Sequence, residues 1–232
     1  MCGRFAFDIP PELLATIFGL RDVPEVTPSY NVAPTQLSPI VRQVGDHNSL
    51  ELMTWGLVPP WAKDPAIGSQ MINARSETVT EKPSFRHAIR YRRCVIPSSG
   101  FFEWVREGKS KTPMYIHRKD GSPLGFAGIW EEWKAPDGSR LDTFAILTTT
   151  ANKLVAPIHD RMPVLLTQDE YPTWLNRHLT DPEQLKSLYQ PFPADLLAAY
   201  PVSDRVNSPR NNSPENIIKR TPDTSTTPPH PH

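Results

Sequence analysis

Apolar residues recur along this chain with two different periods. Near the start, Leu13, Leu14, Ile17 and Phe18 repeat at the spacing of one helix face. Pro10-Pro11-Glu12 precedes them, placing proline in the first turn and a carboxylate at the positive end of the helix. Gly19 follows as a stop signal. Beyond this helix the rhythm shortens. Apolar or alternating runs occupy residues 39–44, 50–58, 93–97, 101–106, 114–118, 124–133, 142–149 and 162–166. Turn pairs such as Gly45-Asp46, Glu107-Gly108, Asp120-Gly121 and Asp137-Gly138 bound many of them. Strands that follow one another closely through short turns pair antiparallel. Residues 82–91, 168–178 and 182–189 read as further helices. The pattern predicts an α+β fold: a single compact β-rich domain of mainly antiparallel strands with a few flanking helices.

Composition narrows this only slightly. A chain of 232 residues with 38% hydrophobic and 9% aromatic content buries a substantial core. No stretch is long and apolar enough to cross a bilayer, and the N-terminus lacks a basic segment followed by an apolar run. Only Cys2 and Cys94 are present, with no CxxC pair, so neither a metal site nor a cofactor is expected. These features point to a reducing compartment: the cytoplasm and nucleoid of a bacterium, or a eukaryotic nucleus. The 27 prolines favour irregular connections. From Ser208 the chain is rich in Pro, Ser, Thr and Asn, and it has no apolar residue after Ile218. A folded domain over residues 1–207 with a disordered tail over 208–232 is expected, and truncation after Val206 should leave folding intact.

Formal net charge is zero, which is not the bulk signature of a nucleic-acid binder. Charge is uneven locally. Arg86, Arg90, Arg92 and Arg93 fall within eight residues. That run suits either a phosphate groove or a solvated helix face.

Candidate chemistry begins at Met1-Cys2-Gly3-Arg4-Phe5. Removal of Met1, by an aminopeptidase or by self-cleavage, makes Cys2 the N-terminus. Its α-amine and thiol titrate near about 8 and about 8.5, so one residue supplies two nucleophiles and a base. Such a 1,2-aminothiol condenses with an aldehyde to an imine, which sulfur closes to a thiazolidine. Glu103 lies in the aromatic run Phe101-Phe102-Glu103-Trp104, where desolvation would suit it to proton transfer. An outward position on an alternating strand fits it equally. His159, before Asp160-Arg161, is open to a catalytic or a structural reading. Asn73 and Arg75 alternate along an extended segment, where Arg75 either grips a phosphate or pairs with Glu77. Trp55 and Trp61 suit base stacking or the core.

The order of these segments is more specific than any one of them. Behind Met1-Cys2-Gly3-Arg4-Phe5 come Ser29-Tyr30-Asn31-Val32-Ala33-Pro34, Trp55-Gly56-Leu57-Val58-Pro59-Pro60-Trp61, Met71-Ile72-Asn73-Ala74-Arg75-Ser76-Glu77-Thr78, Gly100-Phe101-Phe102-Glu103-Trp104 and Ile158-His159-Asp160-Arg161-Met162-Pro163. From Cys2 to about Val206 the sequence closely resembles the SRAP family of abasic-site processing proteins. The resemblance implies autocatalytic removal of Met1 and a covalent thiazolidine between Cys2 and the ring-opened sugar of an abasic site in single-stranded DNA. It also implies a sensor and shield of such sites, acting as a monomer. By the same resemblance, Asn73 positions the site, Glu103 moves protons during imine formation and release, and His159 protonates the sugar oxygen. Arg75, Arg4 and Arg161 match phosphate contacts, Asn31 matches a pocket-lining residue, and Trp61 and Phe102 complete the DNA-contacting set. The family often carries Asp-Gly before the aromatic-Glu segment, whereas this chain has Ser98-Ser99-Gly100. Two other functions share parts of this pattern. Class II glutamine amidotransferases also begin Met-Cys-Gly, though an aliphatic residue follows where this chain has Arg4. A non-covalent single-stranded DNA-binding protein would use Cys2 only structurally.

Overall fold

The computed structural model describes residues 2–221. The strands are β1 (Phe5–Phe7), β2 (Ser29–Val32), β3 (Leu37–Val44), β4 (His47–Trp55), β5 (Asn73–Arg75), β6 (Arg93–Ser98), β7 (Gly100–Glu107), β8 (Ser110–Arg118), β9 (Leu124–Lys134), β10 (Arg140–Thr150), β11 (Arg161–Pro163), β12 (Leu165–Leu166) and β13 (Leu197–Pro201). The helices α1 (Pro11–Phe18), α2 (Ala88–Tyr91) and α3 (Tyr171–Leu175) are short, and several 3-10 turns accompany them.

Five strands form one sheet in the order β13-β8-β7-β1-β2, antiparallel throughout. The other eight form a second sheet that closes on itself. The path runs β4-β3-β6-β9, and β10 then pairs antiparallel with β9 and parallel with β4 at Thr143 and Phe144. The C-terminal half of β10 continues past the ring, between β5 on one side and β11 on the other. The architecture is the α+β, mainly antiparallel arrangement that the apolar pattern predicts.

Period-two alternation explains why the ring strands read as nearly continuous apolar runs. Ile40, Ile96, Phe126, Phe144 and Ile146 enter a core shared with Phe5, Phe101 and Ile116 of the five-stranded sheet. Their chain neighbours Val41, Val95, Ala127, Ala145 and Leu147 enter a second core with α1 and α3 residues such as Leu14, Phe18 and Trp174. With both faces covered, neither can be polar. Aromatic rings knit the shared core: Phe5 lies 5.1 Å from Trp55 and 5.7 Å from Phe126, centroid to centroid.

Several elements differ from the sequence-based expectation. Of residues 82–91 only α2 is helical, because Pro83 falls within the series of turns that precedes it. Residues 168–178 shorten to a 3-10 turn at Gln168–Glu170 followed by α3, and Pro182–Tyr189 is 3-10. The run 50–58 ends at Trp55. Gly56 has φ 127°, and a Cβ there would sit 2.6 Å from the Gly68 carbonyl oxygen, so glycine is required at this close backbone approach. The run 162–166 divides into β11 and β12 around Val164, whose N–H donates to the Leu147 carbonyl.

The segment beyond Ser208 is the main departure. It was expected to be disordered, yet through Arg220 it lies as a strap along β2 and β13. The Asn31 amide donates to the carbonyls of Val206, Ser208 and Asn211 at 3.3, 3.0 and 2.7 Å. Asn212 accepts from the Tyr30 N–H, and Tyr200 Oη donates to the Ile217 carbonyl, both at 2.7 Å. Asn216 is fully buried, and a Val202–Lys219 bridge and an Arg220 N–H to Pro201 bond close the strap. Side-chain amides and backbone bonds hold most of it, with Ile217 adding one apolar contact to the Phe102 cluster, so composition concealed it. Residues 222–232 of the expected tail lie outside the described residues.

Candidate active site

The β1–β7 ladder sets the position of Cys2. Phe5 pairs with Phe101, and the Phe102 N–H donates to the Arg4 carbonyl at 2.9 Å, extending the ladder toward the chain start. Cys2 thereby comes alongside Glu103. From the other side, Asn73 Nδ2 donates to the Cys2 carbonyl at 2.9 Å. Asn73 is presented by β5, which is pinned to the projecting half of β10. Trp55, a core residue, donates from Nε1 to the Ile72 carbonyl at 2.9 Å and fixes the approach to β5. Asn73 Oδ1 is buried and accepts no hydrogen bond among the described residues.

Burial dominates the electrostatics. Cys2 is fully buried, and desolvation followed by the Glu103 charge pushes its thiol well above the ordinary range. Glu103 shares with Phe101 the β7 face turned toward the ring. It is 3% exposed, and desolvation pushes its carboxyl from the ordinary 4.5 up to about 7. His159 sits in the loop between β10 and β11. Its Nδ1 lies 2.9 Å from the Arg161 N–H and 2.8 Å from Asp160 Oδ1. Partial burial, as the largest cause, lowers its pKa and favours neutral imidazole at pH 7. Glu103 and His159 line one cleft of about 590 Å³, together with Trp104, Arg106, Lys111 and Asn207. Among the described residues no three His, Cys, Asp or Glu side chains converge as a metal site would require.

The expected DNA contacts divide. Arg75 is exposed on β5, with buried Ala74 between it and Asn73, so both side chains leave the strand on one face. It forms no ion pair among the described residues, because Glu77 is engaged elsewhere. Trp61 is 60% exposed on the loop after β4. The other expected contacts are built into the fold. Phe102 is fully buried against Ala6, Tyr115, Val202 and Val206, because alternation along β7 turns it away from Glu103. Arg161 is buried and forks onto Glu77, with Nη1–Oε1 at 2.6 Å and Nη2–Oε2 at 2.8 Å. Its Nη2 also donates to the Thr148 carbonyl. Arg4 Nη1 donates to Asn31 Oδ1 at 2.8 Å and to the Val206 carbonyl at 2.7 Å, and Asn31 is 1% exposed. Arg4 and Asn31 therefore clamp the strap.

Sequence reasoning missed four cleft residues. Arg106 and Lys111 stand opposite each other across the β7–β8 pair, and two cations flanking the Glu107-Gly108 turn were the available signal. Trp104 Nε1 donates to Asn207 Oδ1 at 2.7 Å, so the start of the strap forms part of the cleft wall. No local signal marked Asn207, which lies 103 residues from its partner.

The sequence model of the SOS response associated peptidase (SRAP) family matches residues 1–209. The chain belongs to the SRAP family. Among SRAP relatives, the abasic site processing protein YoqW of Bacillus subtilis (strain 168) is 48% identical over 221 residues, covering 94% of this chain and 99% of that protein. The abasic site processing protein HMCES of Xenopus tropicalis is 30% identical over 261 residues, covering 93% of this chain and 77% of that protein. A crystal structure of a protein from Bacteroides thetaiotaomicron superposes with a TM-score of 0.86 at 31% identity, covering 95% of this chain and all of that one. Membership in the SRAP family supports abasic-site processing as the broad activity. No helix among the described residues is long and apolar enough to cross a membrane.

Proposed function

We propose that this protein captures abasic sites in single-stranded DNA by forming a thiazolidine at Cys2 once Met1 has been removed. The observation that carries the proposal is the placement of Cys2. Its carbonyl is held by Asn73, and it lies beside a buried carboxyl whose pKa is near 7.

The steps follow from the groups present. Opening of the cyclic sugar needs a proton on the ring oxygen as its bond to C1 breaks, and loss of the C1 hydroxyl proton as the aldehyde forms. His159 at the cleft wall is the group assigned to deliver the first from its minor imidazolium form and, once neutral, to take up the second, which restores it. The Cys2 amine adds to the aldehyde carbon, and the resulting carbinolamine loses water to give an imine. Glu103, poised near neutrality, accepts a proton from nitrogen and returns one to the departing hydroxyl. The Cys2 thiol then adds to the imine carbon while its proton passes to nitrogen, closing the five-membered ring. One water is released overall, and no redox change occurs. The raised thiol pKa suits this order, because a neutral thiol leaves the first attack to the amine. Arg75, Arg106 and Lys111 supply cations for the phosphates on either side, a grip without base readout.

Denaturing electrophoresis with an abasic oligonucleotide tests the reading. The native chain and Cys94→Ala should give a heat-stable band of slower mobility, and Cys2→Ala should give none. Cys2→Ser should give only a labile species trapped by borohydride. A stable band that survives in Cys2→Ala, or that is lost in Cys94→Ala, contradicts the assignment.

A further inference from the structure

The arginine-rich segment before β6 is not used by the cleft. Arg93 is fully engaged as a structural pin: its guanidinium donates to the carbonyls of Trp174, Ile89, Arg90, Asn176 and Leu179. Its neighbour Arg92 lines a separate groove of about 460 Å³ that Arg93 also borders. Arg42, Arg92, Arg177, His87, Tyr91 and Trp130 contribute to its walls, and it shares no lining residue with the cleft of Glu103 and His159.

The groove is organised around Trp130. The guanidinium carbons of Arg42 and Arg92 lie 4.3 and 5.4 Å from the indole centroid. Stacking on an aromatic ring fixes the plane of a guanidinium and leaves its N–H edge free for an anion. Two carboxylates set the arginines further. Glu131, buried at 1% exposure, pairs with Arg92 and lies 3.4 Å from His87 Nδ1. Glu51 Oε2 takes both Nε and Nη2 of Arg42 at 2.9 Å, and Arg42 Nη1 makes no hydrogen bond among the described residues. Arg177 is exposed at the rim and enters no ion pair among the described residues. Both acidic groups are already matched, so the groove has an excess of positive charge in a chain whose formal net charge is zero.

We propose that this groove binds a backbone phosphodiester of the DNA strand at a distance from the lesion. Arg42 Nη1 and the exposed Arg177 offer N–H donors to a phosphate, and the exposed Tyr91 offers a face for the adjoining nucleoside. The second contact would hold the strand after the lesion enters the cleft, and it reads no base. The proposal rests on the DNA-processing reading above, but its test uses intact DNA and is independent of covalent capture.

Fluorescence anisotropy over a salt series compares the native chain with Arg42→Gln/Arg177→Gln. The probes are abasic-free single strands of about six nucleotides, near the footprint of one small binding fold, and of about thirty. On the long strand the double variant should bind roughly 3- to 30-fold more weakly, with a log–log salt slope shallower by about 1.4, the value for two lost phosphate contacts. The short strand, which occupies the cleft alone, should bind both proteins equally. An unchanged long-strand slope overturns the proposal, and so does an equal loss on both lengths, which would place the effect in the cleft or in the fold. If Arg42→Gln alone lowers the melting temperature, Arg177→Gln, at an exposed position, carries the test with about half the slope change. Inorganic phosphate and a deoxynucleoside monophosphate separate the two sources of a phosphate group. If either binds the native chain and not the double variant while the long-strand slope is unchanged, the groove takes small phosphates and the strand contact is refuted.

Discussion

Glu103→Gln offers a perturbation whose effects on stability and on rate run in opposite directions. The carboxyl is 3% exposed, and burial raises its pKa from 4.5 to about 7. A rise of that size corresponds to roughly 3 kcal/mol of disfavoured ionisation in the folded state, an upper bound once relaxation is allowed. Below about pH 4.5 the group is protonated in both folded and unfolded chains, and no penalty exists. As pH rises toward 7 the unfolded chain releases its proton first, so stability falls. Above 7 both states are ionised and the penalty is constant. Glutamine keeps the shape and cannot ionise. The variant should therefore match the native chain near about pH 4.5 and exceed it by about 1–3 kcal/mol near pH 8. Urea unfolding at the two pH values, on chains whose N-termini are matched by mass, gives the comparison. The same variant should cross-link about 10²- to 10⁴-fold more slowly, because an amide cannot relay a proton. A variant less stable than the native chain at pH 8, or a stability difference independent of pH, would refute the claim that burial holds this carboxyl near neutrality. An unchanged cross-linking rate would remove Glu103 from the mechanism.

Other expectations follow from the same contacts. A chain ending at Asn207 should lose about 2–4 kcal/mol in urea unfolding, since the buried Asn31 amide loses partners; one ending at Arg220 should melt like the full chain. Arg161→Met should destabilise by about 1–3 kcal/mol, because the buried Thr148 carbonyl loses its donor and the fork onto half-exposed Glu77 is lost. By contrast Arg75→Ala should change unfolding by less than about 0.5 kcal/mol while flattening the salt slope of DNA binding by about 0.7. His159→Gln should slow single-turnover capture of the cyclic sugar, and a permanently open aldehyde substrate should restore most of the rate.

The ring strands were legible because each is a run of apolar residues bounded by turn signals, and Pro10-Pro11-Glu12 announced α1. The remaining helices were overestimated because apolar spacing was counted through prolines that shorten them. Strands β1, β2 and β13 have five residues or fewer at or near a sheet edge, too short for alternation to show. At the site, the order of short motifs drew attention to Cys2, Asn73, Glu103 and His159, and the fold brings the last two into one cleft. Burial of Glu103, left open by its spacing, comes from the core face it shares with Phe101. Polar residues whose partners lie far away in sequence were misjudged. Asn31 meets Asn211 180 residues later, and Arg161 meets Glu77 84 residues earlier. No local pattern distinguishes such a clamp from a phosphate contact. The strap was misread for a related reason: side-chain amides hold it, and composition counts amides as signs of disorder.

The most direct test of the central claim is the intact mass of the protein after incubation with an abasic single-stranded oligonucleotide. The account predicts a chain lacking Met1 joined to the oligonucleotide with loss of one water, a mass that is unchanged by borohydride once the adduct has formed. A chain that keeps Met1 and still gives the adduct would place the attachment on another group, and an adduct that gains two hydrogens on reduction would be an open imine; either result contradicts thiazolidine capture by Cys2.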